Sequence, residues 1–282
     1  MNSAWKRWVL ENTLKGVSGK ELYFTLINHG FVHDQIVPLL GANLSESQKQ
    51  QLANRYRVLV PKPAFLGDEK SVDSYSSNIT NSDTVAYETF GNSDFCVYKL
   101  TGCFDSDLCE AAVNSIKKGL RPSTITTVSS DKPQQSRTSS TCDFASLEAD
   151  LAERLSEKLK SLMGKVHDTS EPIQAQHYGV QQEFKQHTDY FEPGSSEYSK
   201  FAGRRGQRSW TCMVYLNTVE RGGETEFLYL KKRFSPKQGD VLVWCNVHKN
   251  GVVNPQSLHQ AHPVSAGEKY IITQWCRLIA PK

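Results

Sequence analysis

His187 and Asp189, in the stretch KQHTDYFEPG, place an imidazole and a carboxylate two residues apart. In an extended strand, residues i and i+2 project to the same side, so both groups can meet one ion. Alone, the pair serves equally well as a polar bend after a strand. Two ligands do not make a stable site, so a third must come from another segment. The downstream candidates are His248, His259 and His262. His248 sits among Asn and Gly, in NVHKNGVVNP. His259 and His262 lie three residues apart, facing opposite sides of an extended strand, so at most one of them reaches the ion. Two histidines and one carboxylate form the facial set that suits non-haem Fe(II), with positions left open for other ligands.

The elements that must position these residues show in the hydrophobic pattern. After Gly164 it alternates with period two. IQAQHYGV, SWTCMVYLN, TEFLYL, DVLVWCN, SLHQAHPV and KYIITQWCRLI read as short strands separated by Gly, Pro and Asn. Before them the period is helical. FASLEADLAERLSEKLKSLMG carries Phe144, Leu147, Leu151, Leu155, Leu159 and Leu162 as one stripe. FDSDLCEAAVNSIKKGL reads as a helix capped near Asp105, and DFCVYKL as a strand. Helices followed by many short strands predict an α+β fold with an antiparallel sandwich or barrel at its C-terminal end.

Residues 1–58 read as a small helical accessory domain. Ser18 and Glu21 stand at capping-box spacing, with Gly30 as a stop, and Ser45 and Gln48 repeat the signal. Residues 59–92 are rich in Pro, Ser, Asn and Asp and read as a linker or loop, leaving 93–282 as the main domain.

Composition narrows the function classes. The chain has 282 residues and a formal net charge of +3, too small to point to nucleic acid. Seven dispersed cysteines show no CxxC spacing, which argues against a disulfide framework or structural zinc and for a reducing compartment. Lys6 and Arg7 interrupt the only apolar stretch near the start, and no run approaches membrane-spanning length. The expectation is a cytoplasmic protein with no membrane partner.

From about Phe95 to Ile279 the chain resembles the 2-oxoglutarate- and Fe(II)-dependent dioxygenases, specifically their prolyl 4-hydroxylase-like branch. The motifs that carry the likeness are RPSTI, RTSS, EPIQAQHY, HTDY, GGETEF and LHQAHPVSAGEKYIITQW, in that order. The resemblance implies a jelly-roll (double-stranded β-helix) core with supporting helices. It implies Fe(II) held by His187, Asp189 and His259, because the family places its distal ligand ten residues before a cosubstrate lysine, here Lys269. Lys269 and Tyr178 would bind the distal carboxylate of 2-oxoglutarate, with Thr225 near the same pocket end. O2 is the second cosubstrate, and ascorbate an accessory cofactor. The implied reaction releases succinate and CO2 and hydroxylates an unactivated C–H, most simply C4 of a peptidyl proline.

For substrate binding, the resemblance points to Arg137, Glu171 and Arg208 along a peptide groove and to Trp275 as an aromatic near the iron, with Arg137 and Glu171 also able to pair with each other. Two positions depart from the branch. Phe184 stands where a tyrosine is frequent, and Arg277 where plant-type enzymes carry histidine. These departures leave a free amino acid or other small metabolite as an alternative to a proline-containing peptide or protein. Nucleobase demethylation fits less well, because those enzymes use arginine where Lys269 stands. A metal-free jelly-roll binding module is the reading from another class. The oligomeric state is not legible.

Overall fold

The computed structural model describes residues 1, 3–14, 17–40, 60–67, 85–122, 138–143, 148–193, 195–202, 205–248 and 251–278. Its centre is a pair of antiparallel sheets. The strands, in chain order, are β1 (Tyr87–Gly91), β2 (Cys96–Leu100), β3 (Arg121–Pro122), β4 (Ser140–Asp143), β5 (Gln174–Tyr178), β6 (Phe184–His187), β7 (Arg208–Tyr215), β8 (Arg221–Gly222), β9 (Thr225–Phe227), β10 (Lys232–Phe234), β11 (Val241–Cys245), β12 (His259–Ala261), β13 (Val264–Ala266) and β14 (Lys269–Arg277). The larger sheet has eight strands in the order β1-β2-β11-β7-β14-β5-β4-β3, and the smaller has four, β10-β9-β12-β6. From β5 onward the chain passes repeatedly between them. β5, β7, β11 and β14 lie side by side in the large sheet, while β6, β9, β10 and β12 make up the small one. This is the antiparallel sandwich expected from the alternating pattern, in the jelly-roll form that the resemblance implies.

Period-two alternation sorts each strand of the large sheet into two faces. On β14, Ile272 and Cys276 join the helix-side core, while Ile271 packs between the sheets. On β7, Cys212 and Val214 face the helices, and Met213 and Tyr215 face inward. Two helices cover the outer face: α4 (Ser106–Lys118) and α5 (Ala149–Met163). Asp105 caps α4 by accepting from the Leu108 N–H at 2.8 Å. Leu151, Leu155, Leu159 and Leu162 of α5 are all buried against the sheet. The described helix starts at Ala149, and Phe144 and Leu147 lie outside the described residues.

Three further helices, α1 (Ser3–Leu14), α2 (Gly19–Asn28) and α3 (His33–Leu40), enclose a core of their own around Leu22, Leu26, Ile36 and Leu40. The capping box at Ser18 and Glu21 is formed. Ser45 and Gln48 lie outside the described residues. This unit meets the main fold where Gly30 packs against Pro193. A Cβ at Gly30 would come within 2.8 Å of that ring, and φ is +82°, so the position suits glycine twice over.

Two expectations need correction. The 59–92 stretch is not all linker. Phe65, in a short 3-10 turn (Ala64–Leu66), is buried in the helix-side core, and Tyr87–Gly91 forms β1, paired residue for residue with β2. The strand is only five residues long, is exposed on most of its length, and closely follows a stretch rich in Ser, Asn and Asp that concealed it. TEFLYL is also shorter as a strand than its pattern suggests. It ends at Phe227, and a turn through Lys231, at φ +49°, sends the chain back as β10.

Leu155 is fully buried between α5 and the sheet. Leu155→Ala is expected to cost about 3 kcal/mol of folding stability, read as a lower denaturation midpoint at unchanged slope in urea.

Candidate metal centre and cosubstrate pocket

The small sheet brings the two histidines together. β12 runs antiparallel to β6, and His259 stands directly opposite His187, with ring centroids 4.3 Å apart. Asp189 lies two residues beyond His187, in a bend after β6 has ended. The convergence is therefore made by a turn, not by continued strand alternation. One ligand atom from each of His187, Asp189 and His259 lies within 4.8 Å of the other two. Among the described residues this is the one group of three or more such side chains able to hold a metal ion. His248 is not part of it. Nor is His262, whose Nε2 lies 2.6 Å from Glu226 Oε2 instead.

The donors are already oriented. His187 Nδ1 lies 2.8 Å from the Lys185 carbonyl, and His259 Nδ1 lies 2.9 Å from the Ser257 carbonyl. Each contact favours a proton on Nδ1, leaving Nε2 as the ligand atom. Thr211 Oγ1 donates to Asp189 Oδ2 at 2.7 Å, and Asn246 Nδ2 donates to Thr211 Oγ1 at 2.8 Å. Burial pushes the Asp189 carboxyl upward. The neighbouring His259, His187 and Arg208 and the Thr211 hydrogen bond outweigh that push, so its pKa lies below the usual carboxylate value. Aromatic rings fix the imidazoles from behind. Phe184 stacks on His187 at 3.5 Å and 13°, and Phe227 and Trp244 flank His259 at 5.4 and 5.0 Å. Two imidazoles and one ionised carboxylate, held by outer partners, fit the donor set of a non-haem Fe(II) centre.

The inner face of β14 supplies the floor of the pocket. Lys269, Ile271, Thr273 and Trp275 alternate along it and line one cavity with His187, Asp189 and His259. A larger cleft of about 850 Å³ lies elsewhere, between residues 60–67 and the outer side of β2 and β11, and holds none of the three donors. At the deep end of the pocket Lys269 is 1% exposed. Its Nζ donates to the Gly223 carbonyl at 2.7 Å and lies over the rings of Tyr178 and Tyr215, at 5.1 and 5.6 Å. Among the described residues no carboxylate forms an ion pair with it. Burial pushes the ammonium pKa down to about 7, and Glu224 offsets that only in part. A buried cation with carbonyl and aromatic contacts alone is a built recess for an anion. Tyr178 sits opposite Lys269 in the β5–β14 pairing, and its hydroxyl donates to Gln176 Oε1 at 2.9 Å. Thr225 accepts from the Tyr215 hydroxyl at 2.8 Å and lines the same cavity.

On the outer side, Arg208 and Trp275 come together, with the guanidinium 3.9 Å above the indole. Arg208 holds Glu171 by two hydrogen bonds of 2.6 and 2.8 Å and reaches the Asp189 carbonyl at 3.3 Å. Burial raises the Glu171 pKa, but Arg208 and Arg277 together bring it below its ordinary value. The carboxylate is thus engaged by these two arginines. Arg137, the other partner considered for it, lies outside the described residues. The sequence reading missed Thr211, Asn246, Gln176 and Thr273. Thr211 and Thr273 were visible in outline, as polar residues inside otherwise apolar strands.

Residues 173–277 match the 2OG-Fe(II) oxygenase superfamily. A chain of Acanthamoeba polyphaga mimivirus, provisionally named a prolyl 4-hydroxylase, is 38% identical over 111 residues, which cover 39% of this chain and 46% of that one. Probable prolyl 4-hydroxylase 6 of Arabidopsis thaliana is 30% identical over 196 residues, covering 62% of this chain and 66% of that protein. The chain thus spans between about half and two thirds of the length of these relatives. Among solved structures, the viral collagen prolyl hydroxylase of Paramecium Bursaria Chlorella virus-1, in its 2OG complex, is 26% identical with a TM-score of 0.49, covering 65% of this chain and 96% of that one.

Thr211→Val removes the hydroxyl that orients Asp189 while preserving shape. It is expected to weaken divalent-metal binding about tenfold, and His187→Ala to abolish it, with neither variant unfolded. Metal titration followed by calorimetry, with circular dichroism as the folding check, reads both.

Proposed function

We propose, from the match of residues 173–277 to the 2OG-Fe(II) oxygenase superfamily, that the protein is a 2-oxoglutarate-dependent dioxygenase that hydroxylates C4 of a proline in a polypeptide. The observation that carries this reading is the pairing of the three-donor centre with a fully buried, carboxylate-free Lys269 in one cavity. A binding module without catalysis has no physical need to bury both. The relatives named prolyl 4-hydroxylases support the choice of proline. The free cysteines support a reducing compartment such as the cytoplasm, and no described helix is long and apolar enough to cross a membrane.

In this reading His187, Asp189 and His259 hold Fe(II), and Lys269 receives the distal carboxylate of 2-oxoglutarate. The bound iron, with 2-oxoglutarate and O2, supplies the oxidising chemistry that yields succinate, CO2 and one hydroxylated C–H. The protein's part is placement and exclusion of water. Lys269 anchors one end of the cosubstrate, with Tyr178 and Thr225 shaping that recess. Met213, Ile271 and Trp244 keep the cavity wall apolar between the anchor and the donors. Trp275 and the arginine stacked on it border the open side, where the target residue would lie.

The reaction is tested by incubating proline-containing peptides and free amino acids with the protein, Fe(II), 2-oxoglutarate and O2, then analysing them by mass spectrometry. A gain of one oxygen on a peptidyl proline, matched by succinate, is expected. Oxygen gain on a free amino acid alone would overturn the polypeptide assignment, and absence of any 2-oxoglutarate turnover would overturn the dioxygenase.

Lys269 adds a pH signature. The unfolded lysine keeps its proton up to its ordinary pKa of 10.5, whereas the folded one loses it near 7. The unfolded state binds more protons across that window, so this group's folding penalty is full below about pH 7 and fades as pH rises towards 10.5. A dicarboxylate needs the ammonium. Calorimetry of 2-oxoglutarate binding in buffers of different ionisation enthalpy should therefore show proton uptake above pH 7, absent in Lys269→Met.

A further inference from the structure

Among the described residues, Arg277 ties the segment that leaves the metal centre at Asp189 and returns as β7 to the large sheet. Arg277, the last residue of β14, is 6% exposed. Its Nη1 donates to two carbonyls of that segment, Phe201 at 2.9 Å and Gly206 at 2.7 Å. Its Nε lies 2.7 Å from Glu171 Oε1, an ion pair whose N–H direction falls short of a hydrogen bond. The guanidinium also covers the Phe191 ring at 5.0 Å, and Arg208 covers the same ring at 4.8 Å. Gln207 reinforces the tie, receiving the Phe191 N–H at 2.8 Å and donating to its carbonyl at 2.6 Å. Phe191, Tyr198 and Ala202 form a small apolar cluster above these contacts, separate from both main cores.

Position 277 is where the chain departs from the plant-type histidine. The difference is one of donor count and reach. An imidazole offers at most two ring N–H groups, pointing apart, whereas a guanidinium offers five in a planar fork. Only the fork spans two backbone carbonyls and a carboxylate at once. With its nitrogens so engaged, the side chain is turned towards the segment's backbone.

We propose that Arg277 is a positioning residue that clasps the described residues between Asp189 and β7 (190–193, 195–202 and 205–207) to the large sheet, keeping them as a preformed wall beside the metal centre, so that it governs substrate affinity and not the oxidative step. The kinetic half of this statement rests on the polypeptide reading above; the structural half does not.

The experiment compares wild type with Arg277→His and Arg277→Lys. Trypsin cleavage after Lys200 and Arg205, both exposed, is followed by mass spectrometry. In parallel, 2-oxoglutarate turnover without substrate is measured, and then KM and kcat with a polypeptide that the protein hydroxylates. Loss of charge-assisted bonds to the segment is expected to speed cleavage at these two sites about tenfold in Arg277→His. KM should rise by a comparable factor while kcat and substrate-free turnover hold. Arg277→Lys, which retains the charge and can reach one carbonyl, should recover part of both effects. Trypsin resistance equal to wild type in Arg277→His, or a fall in kcat at constant KM, would overturn the clasp. If Arg277→His does not fold, Arg277→Lys carries the test by the same readouts, with wild-type resistance and KM counting against the proposal. If no polypeptide is hydroxylated, the cleavage rates alone decide, and the substrate assignment falls separately.

Discussion

Everything at this site depends on the antiparallel pairing of β6 with β12, which sets His187 opposite His259. A shift of one residue in either strand would send that strand's imidazole to the other face of the sheet and part the pair, because side chains alternate with period two. Register is therefore the first determinant of metal binding. It is enforced by apolar neighbours on the same inner face. Phe227 pairs with His259 from β9 and packs its ring beside it, and Trp244 closes from the large sheet. The same contacts that bury the sandwich interior also hold the ligands, so fold stability and site geometry are one problem here.

That arrangement places ionic groups where charge is expensive. Asp189 and Lys269 are almost completely buried, one near each end of a single cavity. Their treatment differs. Asp189 is surrounded by cationic and hydrogen-bonding partners that keep it ionised. Lys269 has a carbonyl and two aromatic faces, too little to hold its proton firmly. The contrast assigns complementary tasks: a finished anionic ligand at one end, and at the other a cation that gains a full partner only when an anion arrives.

On the outer side, charge is handled by sharing. Glu171 sits between two arginines, one reaching the Asp189 backbone and the other the segment beyond it. Both guanidiniums lie over Phe191, so a single aromatic ring serves two cations. Removing Glu171 would leave both guanidiniums without their carboxylate, and removing either arginine would leave the carboxylate to the other alone, which makes the cluster a unit and not a set of separate contacts.

The amino-acid order by itself determined an antiparallel sandwich or barrel and the His187 and Asp189 pair; the jelly-roll form and the third donor, His259, were read from the resemblance. Period-two strands separated by turn residues specify sheets with one inner face. The spacings of His187, Asp189, His259 and Lys269 survive in linear form because each belongs to a short local motif. Other features were not legible for physical reasons. β1 was hidden because it is short, exposed at the sheet edge and close behind a polar stretch. The choice between His259 and His262 followed from family spacing, and the structure shows why it matters: one faces the cavity and the other pairs with Glu226 on the opposite face of the sheet. The contact of Asn246 with Thr211, and the pairing of Glu171 with Arg208 and Arg277, join residues 35 to 106 positions apart. No local pattern encodes such distances. Only closure of the two sheets brings those side chains within hydrogen-bond range, and it is there that a metal-binding motif becomes an oriented site.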